Sequence, residues 1–143
     1  MIIIRQADYS DAAALFELNY LFNGEGVASQ QQIEQSLQQN TREIIYIAYS
    51  DQIPIGFICA QIIDSFCYRD TTAQITELFV KEEFRRCQVA TKLIHIMQKH
   101  LYQIPCCEIQ LFTGADNDIA QAFYESMGYQ KNHEVGYQKD MLP

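Results

Sequence analysis

Chemistry is concentrated in residues 76–93, which read TELFVKEEFRRCQVATKL. An apolar strand (Leu78, Phe79, Val80) runs into an acidic turn (Glu82, Glu83). Two arginines, Arg85 and Arg86, follow, and an amphipathic helix begins near Val89. The first N–H groups of a helix have no intrahelical partner, and the helix dipole favours negative charge there. A strand, a turn and a helix start in succession therefore make an anion site. Charge agrees locally. Residues 81–99 carry net +3, whereas residues 1–80 carry −7 and residues 100–143 carry −4, within a chain total of −8. The turn is expected to grip a polyphosphate.

The rest of the composition bounds the answer. A chain of 143 residues is expected to form one domain, residues 1–143, and 48% hydrophobic content suits a packed core. A net charge of −8 argues against nucleic acid as a partner, because that binding needs clustered Lys and Arg. The same charge suits a cationic small molecule, steered in by the field, and equally suits mere solubility. No apolar run spans a bilayer and no secretory signal is visible, so a cytoplasmic location without membrane contact is expected. Five cysteines, an odd number with no Cys-x-x-Cys pair, read as free thiols. The three histidines have no ligand spacing, so no metal is expected. No histidine is placed to activate Cys87, which reads as a tolerated loop residue rather than a nucleophile.

Several elements must hold that turn in place. Residues 2–5 read as a buried strand. Ser10 reads as the cap of a helix over 11–21, and a loop with two glycines, 22–26, breaks it. Ser29 caps a polar helix to about Gln39, whose thin apolar stripe of Ile33 and Leu37 suits a surface position beside an opening. Residues 44–49 and 54–63 form a hairpin, and 73–80 the next strand. The spacing of Val89, Leu93, Met97 and Leu101 predicts a helix over 89–101, followed by a strand over 107–112. Asn117 opens a helix over about 119–127, and Gly128 closes it. Residues 129–142 read as two short strands meeting near Glu134. The order is βααβββαβαββ, a mixed α/β (α+β) class with helices flanking a central sheet.

This pattern resembles the GNAT superfamily of acetyl-CoA-dependent N-acetyltransferases. The family's acyl-CoA loop reads Arg/Gln-x-x-Gly-x-Gly/Ala between a strand and a helix. Here Arg85, Arg86, Cys87, Gln88, Val89 and Ala90 fill it. A second motif, an Asn followed by Ala-x-x-Phe-Tyr-Glu and Gly-Tyr, is matched by Asn117, Ala120, Phe123, Tyr124, Glu125, Gly128 and Tyr129. The resemblance implies the GNAT fold with a central, mostly antiparallel mixed sheet, and acetyl-CoA as acyl donor. Gln88 stands where the family has glycine. That glycine lets the backbone approach a pyrophosphate without a Cβ, so the cradle reads as weakened rather than lost.

The resemblance also implies roles. Direct attack of an amine on a thioester needs a base, since an alkyl ammonium titrates near ~10.4. It also needs a proton for the leaving thiolate. Glu77 is the candidate base, with substrate binding or pairing to an arginine as the alternative. Tyr124 is the candidate acid beside the coenzyme's sulfur, and Asn117 the contact to the pantetheine arm as well as a helix cap. Phe79 and Val80 would offer main-chain groups. For the acceptor, Glu25, Asp64 and Asp70 could form an acidic mouth. The expected acceptor is a small cationic amine, with aminoglycosides or polyamines as examples. A non-catalytic CoA-binding or regulatory module and a peptide N-acetyltransferase remain alternatives. A homodimer, common among similar proteins, is compatible with the sequence but not required by it.

Overall fold

The computed structural model describes residues 1–142, with the Cys107 side chain outside the described set. Met1–Phe112 forms one compact unit, and the chain from Thr113 onward forms another.

The first unit is built on five strands: β1 (Ile2–Gln6), β2 (Glu43–Ser50), β3 (Ile53–Ile63), β4 (Thr71–Val80) and β5 (Cys106–Leu111). They lie in sequence order. The first three pairings are antiparallel, and β4 with β5 is parallel. This is the mixed, mostly antiparallel sheet expected. The β2–β3 turn needs two residues of left-handed twist, and Asp51 and Gln52 supply them with φ of +48° and +72°. The parallel pair needs a crossover, which α3 (Val89–Leu101) provides.

Each face of the sheet carries helices. Leu15 and Leu18 of α1 (Ala12–Asn23) pack with Ile47, Phe57, Cys59 and Phe79 of the sheet. Strand side chains alternate between faces, so Ile44, Tyr46 and Ile58 point the other way. There α3 buries Val89, Leu93, Ile94, Met97 and Leu101. Tyr46 Oη lies 2.8 Å from His100 Nδ1 and ties α3 to β2. Each fully buried side chain of this kind stabilises by about 1.5–3 kcal/mol. The polar α2 (Gln30–Gln39) buries no residue completely. Its start is fixed by a capping box in which Ser29 Oγ accepts from the Gln32 N–H while the Gln32 side chain accepts from the Ser29 N–H.

Two expectations are corrected. Asp8, not Ser10, caps the first helical segment. Its carboxylate accepts from the Ser10 N–H, and Asp11 accepts from the Asp8 N–H. An ionised carboxylate is the stronger acceptor, so Ser10 sits inside the turn it was expected to open. The two final strands do not form. Among the described residues no strand follows Leu111. Val135, Tyr137, Met141 and Leu142 are all exposed, and a hairpin whose apolar side chains pack against nothing is marginal.

In the second unit, α4 (Asp118–Ser126) is capped by Asn117, whose Oδ1 accepts from the Ala120 N–H at 3.0 Å. Gly128 closes it at φ +94°, as the sequence predicts.

Candidate active site

One extra residue in β4 organises the site. Glu77 faces Cys59, but Ile75 faces Ala60, so Thr76 is a β-bulge. Without it Glu77 would share the α3 face with Ile75. The bulge turns Glu77 to the α1/α2 face, beside Cys59 and Phe57. It also coincides with the end of the parallel pairing, whose last pair is Ile75 with Leu111. Beyond that point β4 runs on to Val80 without β5, and a gap opens along its edge. Bulges beside functional sites re-aim a side chain in this way.

The main chain along that edge has a definite direction. The Lys81 N–H donates to Ile55 O at 2.8 Å, so Lys81, and by alternation Phe79, are bonded toward β3. Gly56 fits the same place: a Cβ there would lie 2.6 Å from Phe79 O. Leu78 and Val80 therefore direct their N–H and C=O groups toward the gap. Of the expected pair, Val80 turns its main-chain groups to the gap, whereas those of Phe79 are turned to β3 and Leu78 takes the gap-facing position. The expectation missed the alternation, which becomes readable once the β3–β4 register is known. Phe79 instead packs its ring against Phe22 at 5.1 Å and Phe57 at 6.2 Å.

The loop after β4 follows the expected course. Arg85 Nε donates to Val80 O at 3.1 Å, which folds the turn back on the strand. Arg86 and Gln88 take left-handed φ of +67° and +62°. Gln88 is the residue that enters α3, and at the position where the family motif has glycine it takes a conformation that glycine adopts freely. A non-glycine residue there is strained. Gln88 and Cys87 are exposed, and the Gln88 side chain makes no capping bond to α3. The first amides of Val89 and Ala90 thus lie at a helix start flanked by Arg85 and Arg86.

Behind this edge lies a cavity of about 400 Å³ between α1, α2 and the sheet. Ile33, Leu37, Phe57 and Cys59 line it, with Asn19, Asn23 and Gln32 on the helix side and two carboxylates, Glu43 and Glu77, on the sheet side. Burial raises the pKa of Glu77. Burial also raises that of Glu43, which accepts from Gln61 and feels the Glu77 charge. Neither takes part in an ion pair among the described residues. Cys59 is buried between them, and burial with the two nearby carboxylates holds its thiol protonated. Glu43 was missed by sequence reading. The three other expected carboxylates lie elsewhere: Glu25 is exposed on the α1–α2 loop, and Asp64 and Asp70 are exposed on the β3–β4 connection. None lines this cavity.

In the second unit, Tyr124 is half-buried. Burial, then Tyr129, raises its pKa, and its ring lies 6.1 Å from that of Tyr129. Its phenol is therefore protonated at neutral pH. Asn117 spends its side chain on the helix cap. No group of three His, Cys, Asp or Glu could hold a metal among the described residues, and no described helix is long and apolar enough to cross a membrane.

Comparison with known proteins gives a consistent picture. The family described as "Acetyltransferase (GNAT) family" matches residues 12–129. An aminoglycoside N(6′)-acetyltransferase type 1 of Acinetobacter genomosp. 13 is 28% identical over 109 residues, covering 73% of this chain and 75% of that protein. Human N-acetyltransferase 8 is 30% identical over 86 residues, which are 60% of this chain but only 38% of that protein. Among solved structures, an aminoglycoside N-acetyltransferase in complex with CoA superposes with a TM-score of 0.86 at 21% identity, covering 99% of this chain and 96% of that one. An aminoglycoside acetyltransferase from an uncultured soil metagenomic sample, in complex with sisomicin, gives 0.85 at 16% identity, covering 99% and 97%.

Proposed function

From the premise that this chain belongs to the acetyltransferase (GNAT) family of acetyl-CoA-dependent N-acetyltransferases, we propose that it acetylates a primary amine of a small cationic acceptor held in the cavity before Glu77. The observation that carries this reading is the pairing of an arginine-flanked helix start, which the Gln88 side chain does not cap, with a β4 carboxylate, Glu77, that lines the cavity and has no ion-pair partner among the described residues. The N-terminal amides of α3, with Arg85 and Arg86, would take the coenzyme's diphosphate. The gap-facing main chain of Leu78 and Val80 would bind the pantetheine arm and the thioester carbonyl. Polyamines and aminoglycosides both suit an acidic cavity rimmed by side-chain amides, and four relatives carrying the aminoglycoside name support that class.

The chemistry balances as follows. The amine nitrogen attacks the thioester carbon, and a C–N bond forms. The C–S bond then breaks, and coenzyme A leaves as a thiol. Glu77 takes the proton the amine must lose, directly or through a water. Its raised pKa makes it a better base than an exposed carboxylate. Tyr124 supplies the proton to the sulfur, the role implied for it by the family motif. Cys59 stays out, because a buried protonated thiol is a poor nucleophile.

Melting curves with and without acetyl-CoA test the donor half. At a hundred times its dissociation constant the ligand adds about 2.7 kcal/mol of stability. Release of free thiol across a panel of amines then tests the acceptor half. No shift at millimolar acetyl-CoA would overturn the proposal in favour of a non-catalytic module.

A further inference from the structure

A second cavity, about 340 Å³, shares Ser36, Leu37, Glu43 and Ile45 with the first. Glu43 therefore lines both cavities, at the end of the first that lies away from Glu77. Cross-strand register sets the separation. Glu43 faces Gln61 and Glu77 faces Cys59, two strands apart and two residues along. That places the two Cα atoms about 12 Å apart, with both side chains on the same face. Gln61 donates to Glu43, yet no cation meets it among the described residues. A carboxylate drawn out of water without a positive partner is a cost to the fold. A cation on the acceptor would offset it.

We propose that Glu43 is a specificity-determining residue that binds a second ammonium group of the acceptor while the reacting amine lies at Glu77. This rests on the acetyltransferase reading of the same cavity and narrows it to one class, amines carrying two or more separated positive charges. The cavity's carboxylates then divide the labour. Glu77 faces the amine that must become neutral. Glu43 faces one that stays charged. Diamines whose nitrogens span the two carboxylates are preferred over monoamines of equal length, because the monoamine leaves Glu43 desolvated and unpaired.

The test compares 1,6-diaminohexane with n-hexylamine in thiol-release assays of the wild type, Glu43→Gln and Glu43→Asp. The wild type is expected to favour the diamine at least tenfold in kcat/KM. Glu43→Gln should lose that preference, mainly through KM, and Glu43→Asp should retain most of it. An undiminished preference in Glu43→Gln overturns the inference. Where neither amine is turned over, calorimetric binding of the diamine decides. Weaker binding to Glu43→Gln supports the inference, and equal or absent binding overturns it. The acetyl-CoA melting shift, read alongside, reports separately on the transferase proposal.

Discussion

Two groups of carboxylates on this molecule have opposite fates. Asp11 is 2% exposed and fully engaged. Arg5 donates to it through two nitrogens, at 2.7 and 2.8 Å, Tyr49 Oη donates at 2.6 Å, and the Asp8 N–H at 2.9 Å. Burial pushes its pKa up, but the bonds from Arg5, Tyr49 and Asp8 outweigh it and the net direction is down. The Tyr49 hydroxyl, buried and donating to Asp11, is pushed up to about 12. Glu43 and Glu77 are less buried, yet both pKa values go up, because burial raises them and no cation among the described residues offsets it. The contrast separates a carboxylate engaged by the fold from two that line a cavity without an ion-pair partner among the described residues. The Asp11 cluster ties β1, β2 and the start of α1 together. The cavity pair makes no such tie; on the reading proposed above, its partner is the acceptor.

The comparison can be broken by mutation. Asp11→Ala should cost about 2–3 kcal/mol in urea unfolding, since it strands several donors at once. A loss below about 0.5 kcal/mol, the range of an ordinary surface change, would mean the cluster is decoration. Its pH dependence has a definite sign. The folded pKa of Asp11 is depressed, so its contribution is complete above the unfolded value near ~3.9 and is lost as pH falls through the folded value.

Next in size is Gly56→Ala. The new Cβ must displace the β4 backbone at Phe79, at a cost of about 1–3 kcal/mol. Because that backbone borders the gap, acetyl-CoA affinity should fall as well. Stability loss with unchanged affinity would uncouple the strand from the donor site.

Glu77→Gln and Glu43→Gln should instead melt at or above the wild-type temperature at pH 7. Both folded pKa values are raised, so ionisation opposes folding as pH climbs above the unfolded value near ~4.3. Removing the charge removes that cost. Melting temperatures depressed like that of Asp11→Ala would show that these residues are structural after all. The smallest effect is expected at Gln88. Gln88→Gly relieves a left-handed φ but frees the unfolded chain, so stability should change by less than about 1 kcal/mol. Acetyl-CoA should bind somewhat tighter; weaker binding would assign the glutamine side chain a positive role.

Much of this was legible beforehand. Helix α3 over Val89–Leu101, the Ser29 and Asn117 caps and the Gly128 stop follow from local periodicity and capping chemistry. So did the polar α2 beside an opening, since it lines the cavity with Ile33 and Leu37. What escaped depends on register. The Thr76 bulge leaves no Gly or Pro in β4, and it exists only as a mismatch between β3 and β4. Glu43 lies just before the strand expected over 44–49, and only strand pairing sets it on the face that carries Glu77. The absent terminal strands failed for the converse reason. Short alternation was present, but Val135, Tyr137 and Met141 stay exposed, and alternation alone does not supply the surface that would cover them.

The most direct test of the account is acetyl transfer by Glu77→Gln against wild type at pH 7, with saturating acetyl-CoA and a diamine acceptor. Loss of the base should lower kcat about a hundredfold, with the acetyl-CoA melting shift intact. Undiminished turnover in a variant that still binds the donor would contradict the assignment of Glu77.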